Sequence, residues 1–251
     1  MILAMQPSQS PYDGWIAIIP AKNEAATIAH VVEEVLQQLP GMSVVVIDDA
    51  STDNTGDLAR GAGAVVIPLA VSLGAWGAAQ TGLRYAQRRG YLCAITLDAD
   101  GQHRADSLPV LADALRARTA DVIIGAYPAR GSFARRLAWS LFRKVSGLSL
   151  VDLTSGLRAY NRTAIQVLAS RQATLLDYQD MGVLLLLAEK HLITQEVAID
   201  MQPRLSGHSR IFRSWWTVAG YMLQTLILCI ARSRHPWPAR PHALPNEKIP
   251  P

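Results

Sequence analysis

Apolar positions along the chain fall into solid runs, separated by stretches where they recur every three or four residues. "WIAIIPAKNE" opens with an apolar run, Ile16 to Ile19, halted by Pro20; such a run predicts a buried strand ending in a loop. "EAATIAHVVEEVLQQLPG" spaces its apolar residues by three and four and closes at Pro40-Gly41, which predicts a helix. "SVVVIDDAS" predicts a second strand, "TDNTGDLARGAG" a short helix with a glycine stop, and "AVVIPLA" a third strand. "GAAQTGLRYAQRRG" predicts a helix ending at Gly90, "YLCAITLDAD" a fourth strand, "DSLPVLADALRARTA" a helix and "DVIIGAY" a fifth strand. Strands that alternate with helices and read as solid apolar runs predict an α/β fold, a mostly parallel sheet flanked by helices on both faces.

Beyond residue 130 the pattern loosens. "SFARRLAWSLFRKVSG" reads as a basic amphipathic helix, and "LLDYQDMGVLLLLAEKHL" as another with a very apolar second half. "ITQEVAIDMQPR" predicts a short strand leading to "LSGHSR", and no internal repeat is present. Residues 214–231 carry no charged side chain and are flanked by Arg210, Arg213, Arg232 and Arg234. A spanning helix wants about 20 apolar residues, and this segment includes Ser214, Thr217, Gly220, Gln224 and Thr225. Trp215, Trp216 and Tyr221 cluster in its first half. A helix lying in the membrane interface, or docked on a small membrane protein, suits that pattern better than a core helix or a span. The expected division is a flexible N-terminus over 1–14, one domain over 15–212, an amphipathic membrane-associated helix over 213–234, and a proline-rich disordered tail over 235–251. The N-terminus has no basic region and too short an apolar run for a signal peptide, so the expected location is the cytoplasm, at the inner face of the membrane.

Composition narrows the partners. Half of the 251 residues are hydrophobic, enough for one large core or two small ones. The net charge is +4, arginine carries most of the positive charge, and much of it lies in the second half. That balance suits phosphate groups or an acidic membrane surface. Nucleic acid is excluded, because no recognition-helix, zinc-finger or aromatic-basic pattern occurs. Cys93 and Cys229 sit in apolar runs and read as small buried hydrophobes in a reducing compartment.

In parallel sheets, ligands bind at the carboxyl ends of strands, near a switch in strand order. Pro20-Ala21, Asp48-Asp49 and Asp98-Asp100 all fall at predicted strand ends, so three strands deliver polar residues to one rim. In Asp98-Ala99-Asp100 the carboxylates share a face. They can converge on one hard cation, magnesium or manganese, with Gln102 adding an amide oxygen; otherwise they are a solvated strand end that caps the next helix. Asp48 and Asp49 can accept hydrogen bonds from a base or a ribose; alternatively Asp49, Ser51 or Asp53 caps the following helix. Gly74 and Gly77 precede a helix whose N-terminus could approach a phosphate, although their spacing is not the dinucleotide fingerprint. Arg130, Arg135, Arg136, Arg143, Lys144, Arg158, Arg204, Arg210 and Arg213 form a basic group that could clamp a diphosphate or a lipid phosphate. Asp180 could act as a general base toward an acceptor hydroxyl, or simply favour a helix N-terminus. His103 stands near the metal candidate, and its expected place is beside the ligands or on the surface. There is no serine or cysteine nucleophile motif.

Six motifs, "IIPAKNEAATI", "VVVIDDASTDNT", "LGAWGAAQTGL", "LDADGQH", "LTSGLRAYNR" and "PRLSGHSR", occur in that order. Together, over residues 15 to 212, they resemble the family-2 glycosyltransferases, especially the dolichyl- or polyprenyl-phosphate sugar transferases. The resemblance implies a single GT-A type domain and an inverting transfer from a nucleotide sugar, UDP- or GDP-linked, with Mg2+ or Mn2+ as cofactor. The favoured acceptor is a polyprenyl phosphate at the membrane surface. By motif, Pro20, Ala21, Asn23 and Glu24 would line the nucleotide pocket, and Asp48 and Asp49 would hold base and ribose. Asp98, Asp100 and Gln102 would hold the metal. Ser155, Gly156 and Arg158 match the loop near sugar and acceptor, and Arg204 and Ser209 the late motif that meets phosphates. In the polyprenyl-phosphate branch the helix after this loop often carries a glutamate, for which Asp180 is the nearest candidate. The chain departs from the family's usual residues at Ser72, Trp76, Arg104, Ala105 and Arg210. Two rival readings are a nucleotidyltransferase making nucleotide sugars, which would want a glycine- and lysine-rich first loop, and a non-catalytic membrane-recruitment subunit of the same fold. Homo-oligomerisation is left open.

Overall fold

The computed structural model describes residues 10–127, 150–153, 155–174, 176 and 181–202. The strands are β1 (Trp15–Ala21), β2 (Ser43–Asp48), β3 (Val65–Pro68), β4 (Cys93–Thr96), β5 (Val122–Ala126), β6 (Arg158–Asn161) and β7 (Thr194–Ala198). The helices are α1 (Ile28–Gln38), α2 (Thr55–Gly61), α3 (Gly74–Arg89), α4 (Ser107–Arg116), α5 (Arg162–Leu168), α6 (Arg171–Thr174) and α7 (Met181–Glu189). The sheet order is β3-β2-β1-β4-β6-β5-β7. β3, β2, β1 and β4 run parallel, β6 lies antiparallel to both β4 and β5, and β7 is parallel to β5.

The period of two along the strands splits the core between two faces. Ile16, Ile18, Val45, Ile47, Val122 and Ile124 pack with α3, α5 and α7. Ala17, Ile19, Val44, Val46, Ile95 and Ile123 pack with α1 and α4. α3 closes at Gly90, whose φ of 81° provides the left-handed cap.

Four elements differ from the sequence expectation. The first helix begins at Ile28 rather than near Glu24, because the preceding residues are committed elsewhere. Glu24 N donates to Thr55 Oγ1 at 2.8 Å and Thr27 Oγ1 to the Ala99 carbonyl at 2.7 Å. β6 and α5 were not foreseen; "RAYN" is short and begins with a charge. α7 is not amphipathic: Met181, Val183 and the whole run Leu184 to Ala188 are buried, so it is a core helix, apolar on nearly every side. The basic helix read in 132–147, the helix of 213–234 and both chain ends lie outside the described residues, apart from residues 10–14. Among the described residues no helix is long and apolar enough to cross a membrane.

α3 also ties distant segments together. Trp76, Gln80 and Arg84 recur every four residues and so share one helix face. Trp76 Nε1 donates to the Ala173 carbonyl at 2.8 Å, Gln80 Nε2 to those of Leu168 and Ser170, and Arg84 Nε to that of Ala169. Those of Leu168 and Ala169 lie at the end of α5, where the last carbonyls of a helix lack partners along the helix. Trp76, unusual for the family, thus has a structural partner.

α3 lies so close to β1 that a Cβ on Gly82 would overlap Ile18 Cγ2. Gly82→Ala is expected to destabilise the protein by about 1–3 kcal/mol through overpacking, read by urea unfolding. Gly61→Ala, which meets nothing within 4 Å, is the matched control and should be neutral or slightly stabilising.

Candidate functional site

The chain runs β1, β2, β3 in one direction, then crosses back to place β4 on the other side of β1. The crevice beyond the ends of β1 and β4 is therefore the switch point where open α/β sheets bind ligands. Asp48 ends β2 and Asp98 follows β4, and these strands flank β1, so the rim residues lie within two strand spacings, roughly 10 Å.

Loop bonds join the strand ends. Asp49 N donates to the Ala21 carbonyl at 2.8 Å and Leu69 N to that of Asp48 at 2.9 Å. Asn23 N donates to Ser51 Oγ at 2.9 Å, and Asn23 Oδ1 accepts from Thr52 N at 2.7 Å. Asn23 and Ala50 both have positive φ, 51° and 55°, so two facing loops hold left-handed turns, tolerated by Asn and costly for Ala. Asp53 accepts from Thr55 N and Oγ1 and from Ala25 N. Burial pushes its carboxyl up, but these donors outweigh that and hold it below its usual value. Pro20 is half-buried and pairs with Ile47, and Ala21 is buried.

The loop after β4 holds the other carboxylates. Asp98 is 49% exposed at its side chain. Asp100 is buried and accepts from Gln102 N at 3.1 Å. Thr27 on the first loop grips the Ala99 carbonyl between them. Because β6 is antiparallel, with Arg158 opposite Thr96, the segment entering β6 lands at the carboxyl end of β4. Gly156 consequently lies against Asp98: a Cβ there would sit 2.6 and 2.7 Å from the two carboxylate oxygens. Thr96 Oγ1 donates to the Gly156 carbonyl at 2.9 Å. Asp98, Gly156 and neighbouring Ser155 are thus brought together.

Other expected roles are corrected. Asp49 is buried and accepts from Ser72 Oγ at 2.7 Å, Leu73 N at 2.6 Å and Gly74 N at 3.1 Å. It therefore caps α3, not the helix that follows it, and its carboxylate sits at the positive end of that helix. The α3 N-terminus is thereby neutralised and does not present itself as a phosphate cradle. Gly74 is needed for a φ of 73°, and Gly77 because a Cβ would crowd Leu73. Arg158 is no phosphate clamp: its guanidinium is fully buried and donates to the Ser155 and Leu153 carbonyls at 2.9 and 3.2 Å. Asp48 keeps a half-buried carboxylate that accepts from Ser51 N at 3.0 Å.

Sequence reasoning missed Thr27, and it missed Glu196, whose two oxygens each accept at 2.7 Å from Val151 N and Asp152 N. No local pattern marks a β7 residue as the holder of a loop 44 positions earlier. Arg104, where the family often has proline, pairs with Asp106 at 2.6 Å. Cys93 is held inert by burial, which pushes its thiol up to about 11 against the opposing pull of Arg116 and Arg118. Asp180, Arg204 and Ser209 lie outside the described residues, as do Arg130, Arg135, Arg136, Arg143, Lys144, Arg210 and Arg213.

Residues 16–169 match the profile of glycosyl transferase family 2. Among curated relatives, the undecaprenyl-phosphate mannosyltransferase of Micrococcus luteus is 33% identical over 168 residues, covering 61% of this chain and 68% of that one. The polyprenol monophosphomannose synthase of Mycolicibacterium smegmatis is 31% identical over 172 residues, 62% of this chain and 64% of that one. The chain thus spans about two thirds of the length of these relatives. Among solved structures, glucosyl-3-phosphoglycerate synthase from Mycobacterium tuberculosis, in complex with Mn2+, uridine diphosphate and phosphoglyceric acid, superposes with a TM-score of 0.67 at 19% identity. The match covers 88% of this chain and 79% of that one, and the likeness establishes a shared fold.

Asp49→Ala strips three donors of their acceptor, so unfolding should become easier by about 2 kcal/mol. Amide exchange at Leu73 and Gly74 should rise with it; unchanged protection there would contradict the cap assigned to Asp49.

Proposed function

We propose that this chain, which belongs to glycosyl transferase family 2, transfers a sugar with inversion from a nucleoside diphosphate sugar to a polyprenyl phosphate at a membrane surface. The observation that carries this reading is the contact of Gly156 with the half-exposed Asp98 at the strand-order switch, beside the loops of Asn23 and Asp48. The lipid-phosphate acceptor is supported by the names of the mannosyltransferase relatives, and by the polyprenyl-phosphate character of the six motifs.

The residues at the crevice fit a divalent cation. Among the described residues no three His, Cys, Asp or Glu side chains form a preformed metal cage. Two carboxylates of hard oxygen donors suit magnesium or manganese, ions that complete their shell with water and substrate phosphate. Gly156 lets the Asp98 carboxylate lie directly against the loop backbone, where any Cβ would push it aside. In this reading Asp98 and Asp100 hold the cation, with Gln102 beside them. When bound, it supplies positive charge opposite the leaving diphosphate.

The chain's own groups do the remaining work. Pro20 to Glu24 and Asp48 line the nucleotide side. Ser155 and Gly156 face the sugar side, in a loop that Arg158 and Glu196 keep in shape. Arg204 and Ser209 belong to the donor phosphates in the same reading. An oxygen of a lipid phosphate is already anionic, so its attack on the anomeric carbon needs no strong base. Asp180 then orients groups rather than taking a proton.

The test is turnover of UDP- and GDP-sugars with Mn2+ and a polyprenyl phosphate in detergent, read as lipid-linked sugar and released nucleoside diphosphate. One donor class should react. Asp98→Asn and Asp100→Asn should each lower turnover by at least about 100-fold with the fold intact. Gly156→Ala should cost about 100-fold by displacing Asp98. Undiminished turnover in both carboxylate variants, or pyrophosphate release from a nucleoside triphosphate and a sugar phosphate, would refute the reading.

A further inference from the structure

The geometry points to His103 as a positioning residue for the Asp98 carboxylate, an inference that rests on the metal reading above. The His103 side chain is only 2% exposed, and its Nε2 lies 3.3 Å from Asp98 Oδ2. An ionised carboxylate can only accept, so Nε2 carries the hydrogen of this bond. Nδ1 is also buried and has no hydrogen-bond partner among the described residues. A side chain kept for packing alone would not leave a buried polar atom unpaired, which costs about 1–3 kcal/mol. A leucine would fill the same space without that cost. The choice of imidazole is therefore explained by what Nε2 does, and Nε2 is aimed at the rim.

The backbone makes that aim rigid. His103 forms an antiparallel bridge with Met201, and Gln202 N donates to the Gln102 carbonyl at 2.8 Å. The turn before it is set by Gly101, with a φ of 71°. Asp98 is thus held between the backbone of Gly156 and the ring of His103. Each fixed neighbour narrows the rotamers that a half-exposed carboxylate samples. Fixing it before the cation arrives removes an ordering cost from binding.

The experiment is a Mn2+ titration of the full chain, with free Mn2+ followed by electron paramagnetic resonance, for wild type, His103→Gln, His103→Asn and His103→Leu. The glutamine amide nitrogen can reach the position of Nε2; the asparagine amide reaches only that of Nδ1. Binding should weaken roughly tenfold in the Asn and Leu variants and stay within roughly threefold of wild type in His103→Gln. Melting without Mn2+ should not follow that order. Nitrogen-15 spectra of wild type should show the proton on Nε2, with a shift that moves in Asp98→Asn; this arm needs no variant at position 103. Equal Mn2+ binding by wild type and His103→Leu, a Gln variant no better than Leu, or a proton on Nδ1 alone would each overturn the inference. No Mn2+ binding by wild type would instead remove the metal reading, and this inference with it.

Discussion

One reversed strand decides what the rim of this sheet can contain. A parallel strand brings only its carboxyl end to the binding edge. β6 runs the other way between β4 and β5, so it brings there the residues that enter it. Ser155 and Gly156 reach Asp98 for that reason and no other. The loop that carries them is irregular and largely buried, so its polar groups must find partners inside the protein. Glu196 takes the amides of Val151 and Asp152, Arg158 the carbonyls of Leu153 and Ser155, and Thr96 that of Gly156. Burying a guanidinium is costly on its own; here it becomes the internal donor that the loop requires.

A second constraint acts on the nucleotide side. The N-terminus of α3 carries partial positive charge, and in many α/β proteins such a terminus receives a phosphate. Here Asp49 occupies it from within the chain. The diphosphate charge in the proposed reaction must then be met at the β4 loop, not at α3, and the basic residues of the later motif gain importance accordingly. α3 in turn reaches across to residues 168–174 through Trp76, Gln80 and Arg84. The loop after β2 and the segment that follows α5 thus share one rigid helix.

The legible part of this structure was the part governed by neighbouring residues. Solid runs such as Ile16–Ile19 and Val44–Ile47 announced strands, and Gly90 announced a helix end. Ordered motifs at strand ends marked the rim. What stayed hidden depends on partners far apart in the chain. Asp49 could be read as a cap, but its helix begins 25 residues later, after an intervening strand. Gly156 could be read as a motif glycine, but only the antiparallel β6 explains the need for it. β6 itself is four residues long and opens with a buried arginine, so its pattern resembled a loop. α7 was misjudged because its charged neighbours suggested a polar face that the helix proper lacks.

Exposure along the β4 loop suits the proposed site, which would fill and empty in each cycle. An ionised carboxylate left unpaired in a dry interior is very costly, whereas one at the surface is hydrated at little cost. Asp98, the most exposed of the group, can wait in water between turnovers. Asp100 and His103 are buried and bound to their own loop, so they keep their orientation without a ligand. Mobile charge would have to be reorganised at every cycle, and catalysis by electrostatic stabilisation loses most of its force when that happens. A hydrated carboxylate on a fixed support avoids both penalties. In the proposed mechanism it is this pairing, one exposed group held by buried neighbours, that makes a bare strand end into a place for a nucleoside diphosphate.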